Sequence, residues 1–385
     1  MNTALPHLGL LLALTAPLAC SSGSSGSPTG ADSGVSKGAG GSTAADASTS
    51  VSTGGAGVTP PDGGAPKSDR IAIPGGSTGI GFDDLMYSAK LHRVLAPSGW
   101  TGNVNLINPD TLEVTTISGF SSDPSWKSGD DTRGVGSADE GNGFVFGGDR
   151  TSTEIGVIDP AQKKIIAKVP TKGYPDYIRY VERTGELWVA EPFAGQIEVF
   201  KGAKDGALVS DGTIPVPGGP ESLVIDQTKG LALTMHLFAG EVVAIDVSTR
   251  KQIGVWPTGC GSSHGLVAVD EQRGFVFPGC LERARGVVLD LNSAGALVDE
   301  HQISTSGSTL VAFSSKLRHF YMRGDPGLPL AFLGVSAAGK LTPLNTFDSV
   351  QKAHCLAADD VGGVWTCDWN AGEIVRYKDP YPASK

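Results

Sequence analysis

The sequence predicts an all-β fold, a seven-bladed β-propeller, and three observations lead there. Short apolar runs with β-branched, alternating character recur through the chain, separated by Gly, Asp and Lys-rich turns. They group in fours at a spacing of roughly 40 residues, and a four-stranded unit of that size buries its apolar faces only by stacking on copies of itself. Gly 54 and Pro 24 in 385 residues fit such a turn-rich chain joined to a low-complexity segment.

The N-terminus comes first. Leu8 to Leu14 is an apolar run too short to span a bilayer, and it leads into Ala16-Pro17-Leu18-Ala19-Cys20. This resembles a bacterial lipoprotein signal, which implies residues 1–19 as a signal peptide and a lipidated Cys20. The alternative is an ordinary secretory signal cleaved near Ala19. Residues 21–69 are rich in Ser, Gly, Ala and Thr without an aromatic side chain, so they cannot offset their ordering entropy and read as a disordered tether. The expected division is therefore 1–19 signal, 20–69 anchor and tether, and 70–385 propeller.

Blade one reads from Gly81 as FDDLMYS, RVLAP, NVNLIN and VTTIS. Blade two starts near Asp131, with GFVFGG, EIGVID and KIIAKV. Blade three starts near Tyr174, with YIRYV, ELWVAE, QIEVF and GTIPV. Blade four, from Gly219, holds SLVID, LALTM, EVVAID and QIGVW. Its Gly-x-Pro start, Asp-rich turn and run ending Ile-Asp resemble the YVTN-type propeller repeat. Blade five starts at Ser263 (GLVAVD, GFVFPG, GVVLDL, EHQI) and blade six at Ser308 (LVAFSS, HFYMRG, LAFLGV, LTPLN). Blade seven, from Ala353, has HCLAAD, GVWTCD and EIVRY and lacks an outer strand.

Arg70-Ile-Ala-Ile-Pro-Gly-Gly repeats the outer strand of blade three, Thr213-Ile-Pro-Val-Pro-Gly-Gly. The N-terminal strand of the domain is therefore expected to complete the last blade, closing the ring and covering its edges. Trp188 and Trp365 hold equivalent places in second strands and read as packing between blades.

Cys355 and Cys367 stand symmetrically about a hairpin turn, and Cys260 and Cys280 fall at one end of blade five, so pairing within each blade is direct. Oxidised pairs agree with an exported protein. A zinc site from His354, Cys355 and Cys367 is the alternative, although no C-x-x-C spacing supports it.

Overlaying the repeats gives one column at the entry to the inner strands, two places before the first aliphatic. It contains Asp83, Arg133, Asp176, Glu221, His264, Ser308 and His354, ionisable in all but Ser308, in a chain only 18% charged. The column predicts a polar ring at the channel mouth, with Arg133 flanked by Asp83 and Asp176. Asp83, Arg133, Asp176, Glu221, His264 and His354 are its candidate ligand-binding residues. His264, His354 and Glu221 are the candidate ligands of a divalent cation, the one cofactor considered. A looser column, Glu191, His236 and Asp368, falls where second strands end. No catalytic residue is assigned.

Blades three and seven, GELWVAEPFAGQIEVF and GGVWTCDWNAGEIVRY, are similar to the repeat of streptogramin lyases. That resemblance implies a metal-assisted opening of a cyclic ester. No Walker loop, C-x-x-C-H, H-E-x-x-H or G-x-S-x-G is present. A net charge of -10 without a basic cluster argues against nucleic acid. The expectation is an exported, outer-membrane lipoprotein, monomeric, touching the membrane through its lipid alone. It would bind a small molecule or an envelope protein through the channel mouth. The alternative is a metal-dependent lyase or lactonase at the same face.

Overall fold

Seven antiparallel sheets of four strands each make up the computed structural model, arranged as a seven-bladed β-propeller. It describes residues 65–385 except 126–129, 237–238, 263–267, 305–306 and 326–328. Cys20, the expected signal and most of the expected tether lie outside the described residues.

Blade one is Met86–Ser88, Arg93–Pro97, Asn103–Ile107 and Val114–Ser118, in order outward from the axis. Each later blade repeats the meander, and its apolar strands pack against the blades on either side. Blade two departs from its sequence reading. Its innermost strand, Val135–Gly141 (VGSADEG), carries no aliphatic alternation, yet all seven residues are buried. Small and acidic side chains fill this position because neighbours satisfy them. Asp139 accepts hydrogen bonds from the Tyr180 and Glu140 amides at 2.7 and 2.8 Å, and the Ser137 hydroxyl donates to Asp84 at 2.7 Å.

Ring closure is as the sequence implies, with a small shift. The strand that completes blade seven runs Ser68–Ala72, beginning two residues before Arg70 and ending well before Gly76. It pairs with Glu373–Lys378 in the register Ser68 to Tyr377 through Ala72 to Glu373. Ile71 and Ile73 are buried in the main apolar core, and Arg70 bridges Asp368 and Glu373 at 2.9 and 2.7 Å. Backbone pairing, core burial and charge thus act together at the seam.

Trp188 and Trp365 are fully buried in that core, and each indole donates to a carboxylate of its own blade, Glu186 at 2.9 Å and Asp359 at 2.8 Å. Cys260 with Cys280, and Cys355 with Cys367, form disulfides with Cα separations of 5.4 and 6.0 Å. Both bonds stay within one blade and accord with an oxidising, exported environment. With both sulfurs of blade seven committed, a zinc site using Cys355 and Cys367 has no thiolates to build on. Among the described residues no helix is long and apolar enough to cross a membrane.

Candidate functional site: an acidic ring at the channel mouth

The loops entering the inner strands bring blades one, two, three, four and seven to one place. Asp83, Asp176 and Glu221 are buried there, with 5, 8 and 7% of their surfaces exposed. Their cation is not the one expected. Arg133 is largely exposed and pairs with Asp123 at 2.6 Å and Asp130 at 3.6 Å. Arg150 stands between Asp83 and Asp176 instead, one Nη2 shared by both carboxylates, while Nη1 donates to the Asp131 carbonyl at 2.7 Å. The Tyr174 ring lies 5.3 Å from the Arg150 guanidinium carbon. Arg150 follows the second strand of blade two, Phe144–Asp149. The looser column of strand-end residues, extended to that blade, stops at Asp149, one residue short of it.

His354 closes the ring from the seventh blade, its Nε2 3.5 Å from Asp83 Oδ1. Asp131 joins them. One ligand atom each from Asp83, Asp131 and His354 lies within 4.8 Å of the others. This set differs from the one read in the sequence, which had His264, His354 and Glu221. His264 lies outside the described residues, Glu221 is not in the cluster, and Asp131 is new. Gly81 explains its approach. A Cβ on Gly81 would stand 2.0 Å from the Asp130 carbonyl oxygen, so only glycine lets the blade two entry loop come this close to blade one.

Burial dominates the electrostatics. It raises the Asp83 carboxyl to about 7, helped by repulsion from Asp176 and opposed by Arg150 and His354. The Asp176 carboxyl is raised for the same reason, and Glu221 is pushed well above the carboxylate range by burial and then by repulsion from Asp176 and Asp83. Burial works against the Arg150 charge as well, but Asp83 and Asp176 outweigh it and keep the guanidinium protonated. Among the described residues the mouth therefore gathers three buried acids, Asp83, Asp176 and Glu221, around the Arg150 guanidinium and the His354 imidazole.

Glu221 owes its placement to a defect in its strand. The register of Pro220–Asp226 against Leu231–His236 shifts between Glu221 and Val224, and Ser222 has the left-handed φ of 56°. Such bulges turn side chains out of the regular alternation and are enriched beside binding sites.

One residue further into the channel stands a second buried pair. Arg179 meets Asp84 through Nη1 at 2.8 Å and Nη2 at 3.2 Å, beside the Tyr177 ring. This fork-to-fork pair balances its own charges, so it adds polarity but little net charge.

The strand-end column has structural partners throughout. Glu191 accepts from the Gly173 amide at 2.9 Å and Gln196 at 2.7 Å, His236 meets Glu241 at 2.8 Å, and Asp368 holds Arg70.

No family model and no curated protein matches the sequence. Solved structures do match the fold. A chain in the crystal structure of the mitotic checkpoint complex is 14% identical with a TM-score of 0.63, covering 82% of this chain and 91% of its own. Virginiamycin B lyase from Staphylococcus aureus is 13% identical at 0.62, covering 81% and 99%. A streptogramin B lyase is 10% identical at 0.62, covering 80% and 96%. The likeness is one of fold. A checkpoint assembly and lyases share it, so the work of this chain has to be read from its own site.

Proposed function

We propose that the chain is an exported β-propeller binding protein of the cell envelope whose channel mouth captures a cationic ligand. One observation carries this reading: among the described residues Asp83, Asp176 and Glu221 are buried together, with Asp131 beside them, around the Arg150 guanidinium and the His354 imidazole. Like charges this close raise one another's cost of ionisation, and a bound cation relieves it. In this reading residues 1–19 are a signal, Cys20 carries the lipid, residues up to 69 tether a monomeric propeller of YVTN type to the outer membrane, and nucleic acid is not a partner.

A ligand that binds the folded form stabilises it by mass action, about 2.7 kcal/mol at a hundredfold excess over Kd. Methylammonium, Mg2+, Ca2+ and Zn2+ should be compared for their effect on the melting temperature. Asp83→Asn with Glu221→Gln should abolish any rise. If none of these cations raises the melting temperature, the reading fails. Anchoring is tested separately, by whether Cys20→Ser releases the protein from the membrane fraction; a wild type already soluble would defeat the lipoprotein reading.

A second reading, a metal-dependent lyase or lactonase acting on a cyclic ester, is favoured by the Asp83, Asp131 and His354 cluster and by the likeness to streptogramin lyases. Two carboxylates and an imidazole suit a divalent ion with mixed oxygen and nitrogen ligands, which would polarise an ester carbonyl. The chain's own part would be to hold these donors, with Arg150 fixing the other oxygen of Asp83.

A further inference from the structure

Beneath the acidic ring the same inner strands enclose a cavity of about 180 Å3. Asp83, Glu221 and His354 are each followed two places on by a leucine of its wall, Leu85, Leu223 and Leu356. At ~3.3 Å per strand residue the apolar wall therefore begins about 7 Å below the carboxylates. Val269, Val311 and Phe313 continue it.

Asp84, Tyr87, Arg179 and Ser222 interrupt this wall with polar groups. Ser222 and Arg179, 2 and 7% exposed, both line the cavity. Ser222 Oγ and Arg179 Nε are buried with no hydrogen-bond partner among the described residues. Buried polar atoms are rarely left unmet, so their presence on this wall points to a ligand that meets them. Asp84 already answers the Arg179 charge through both Nη atoms. What the wall offers is therefore donors for neutral oxygen rather than a receptor for an anion.

Resting on the cation-binding reading above, we infer that the ligand is an amphiphilic organic cation. Its ammonium group is held by Asp83, Asp176 and Glu221, and its apolar tail fills the cavity. An ether, ester or carbonyl oxygen near the head accepts from Ser222 Oγ and Arg179 Nε. A cavity of roughly 150 Å3 accommodates benzene, so this one has room for a tail of about half a dozen carbon atoms.

Calorimetric titration of the whole protein tests this with simple probes. Across methylamine, n-propylamine, n-butylamine and n-hexylamine, affinity should rise about fourfold per methylene and level off in longer amines. Hexanoate should not bind. 2-Butoxyethylamine, equal in length to n-heptylamine but less apolar, should bind at least as tightly. Ser222→Ala should weaken the ether amine about threefold to tenfold and leave n-heptylamine unchanged. Affinity independent of chain length overturns the inference and leaves the cation reading standing if methylamine binds. Equal binding of hexanoate overturns the assignment of the head group. Divalent ions binding where no amine does rejects the organic cation in favour of the metal reading, and no cation binding at all rejects both the inference and the function beneath it.

Discussion

His354 Nε2 lies 3.5 Å from Asp83 Oδ1, linking the start of the last blade to the start of the first. The other oxygen of Asp83 is taken by Arg150 from blade two. The mouth is thus a network that crosses blade boundaries, with the Arg150 guanidinium shared between blades one and three.

Arg150→Met should cost about 3–5 kcal/mol, the usual consequence of leaving buried charge without its partner. Because Asp83 and Asp176 take up protons more readily than ordinary carboxyls, the loss should shrink on acidification. Denaturant unfolding at about pH 8 and about pH 5 checks both parts. A loss under ~1 kcal/mol at the higher pH would show that the bridge is not a keystone.

Stability of the wild type should rise as pH falls from about 8 towards 5. Burial holds the folded-state carboxyls of Asp83 and Asp139 at about 7 and about 6, above the ordinary value of 3.8. Between those limits the folded form holds protons that the unfolded chain has released, so unfolding releases protons and acid favours the fold. This contribution is fully present below about 3.8 and is lost as pH rises through 6 and 7. Melting temperatures across this range should slope accordingly, and Asp83→Asn should flatten the upper part. A wild-type curve that climbs from pH 5 to 8 would contradict the assignment.

Deleting the chain through Gly76 removes the strand Ser68–Ala72 and uncovers Glu373–Lys378. Losing the buried Ile71 and Ile73 alone should cost about 3–6 kcal/mol, and unfolding should become less cooperative. Deleting residues 21–66 leaves this strand in place and should cost nothing measurable. Equal stability of the two truncations would defeat the closure argument.

Each disulfide closes a short loop, 20 residues apart in sequence for Cys260 and Cys280 and 12 for Cys355 and Cys367. Replacing either pair by serine should lower stability by about 2–4 kcal/mol. Peptide mapping without reduction should recover two cross-linked peptides, one from each blade. Free thiols at these positions would refute the pairing.

What the sequence determined by itself was the repeat and its closure. Strand alternation and the spacing of turns are local properties, and a unit that cannot bury its own faces must stack, so seven blades and the match between the strand at Arg70 and that at Thr213 were legible in order along the chain. The disulfides were legible for the same reason, since each pair belongs to one blade. Val135–Gly141 was not, because its burial depends on partners in other strands rather than on apolar side chains. At the mouth, the repeat column drew attention to Asp83, Asp176, Glu221 and His354, all of which reach the ring. It named Arg133 as their cation, and the fold chose Arg150; it did not name Asp131. A column records equivalent positions within repeats, whereas a site depends on distances between repeats. Those distances come from how the loops bend, from a glycine that lets two entry loops touch, and from a bulge at Ser222 that turns Glu221 inward. Only the tertiary structure decides them, because charge pairing falls off over a few ångströms while the residues concerned stand tens of positions apart.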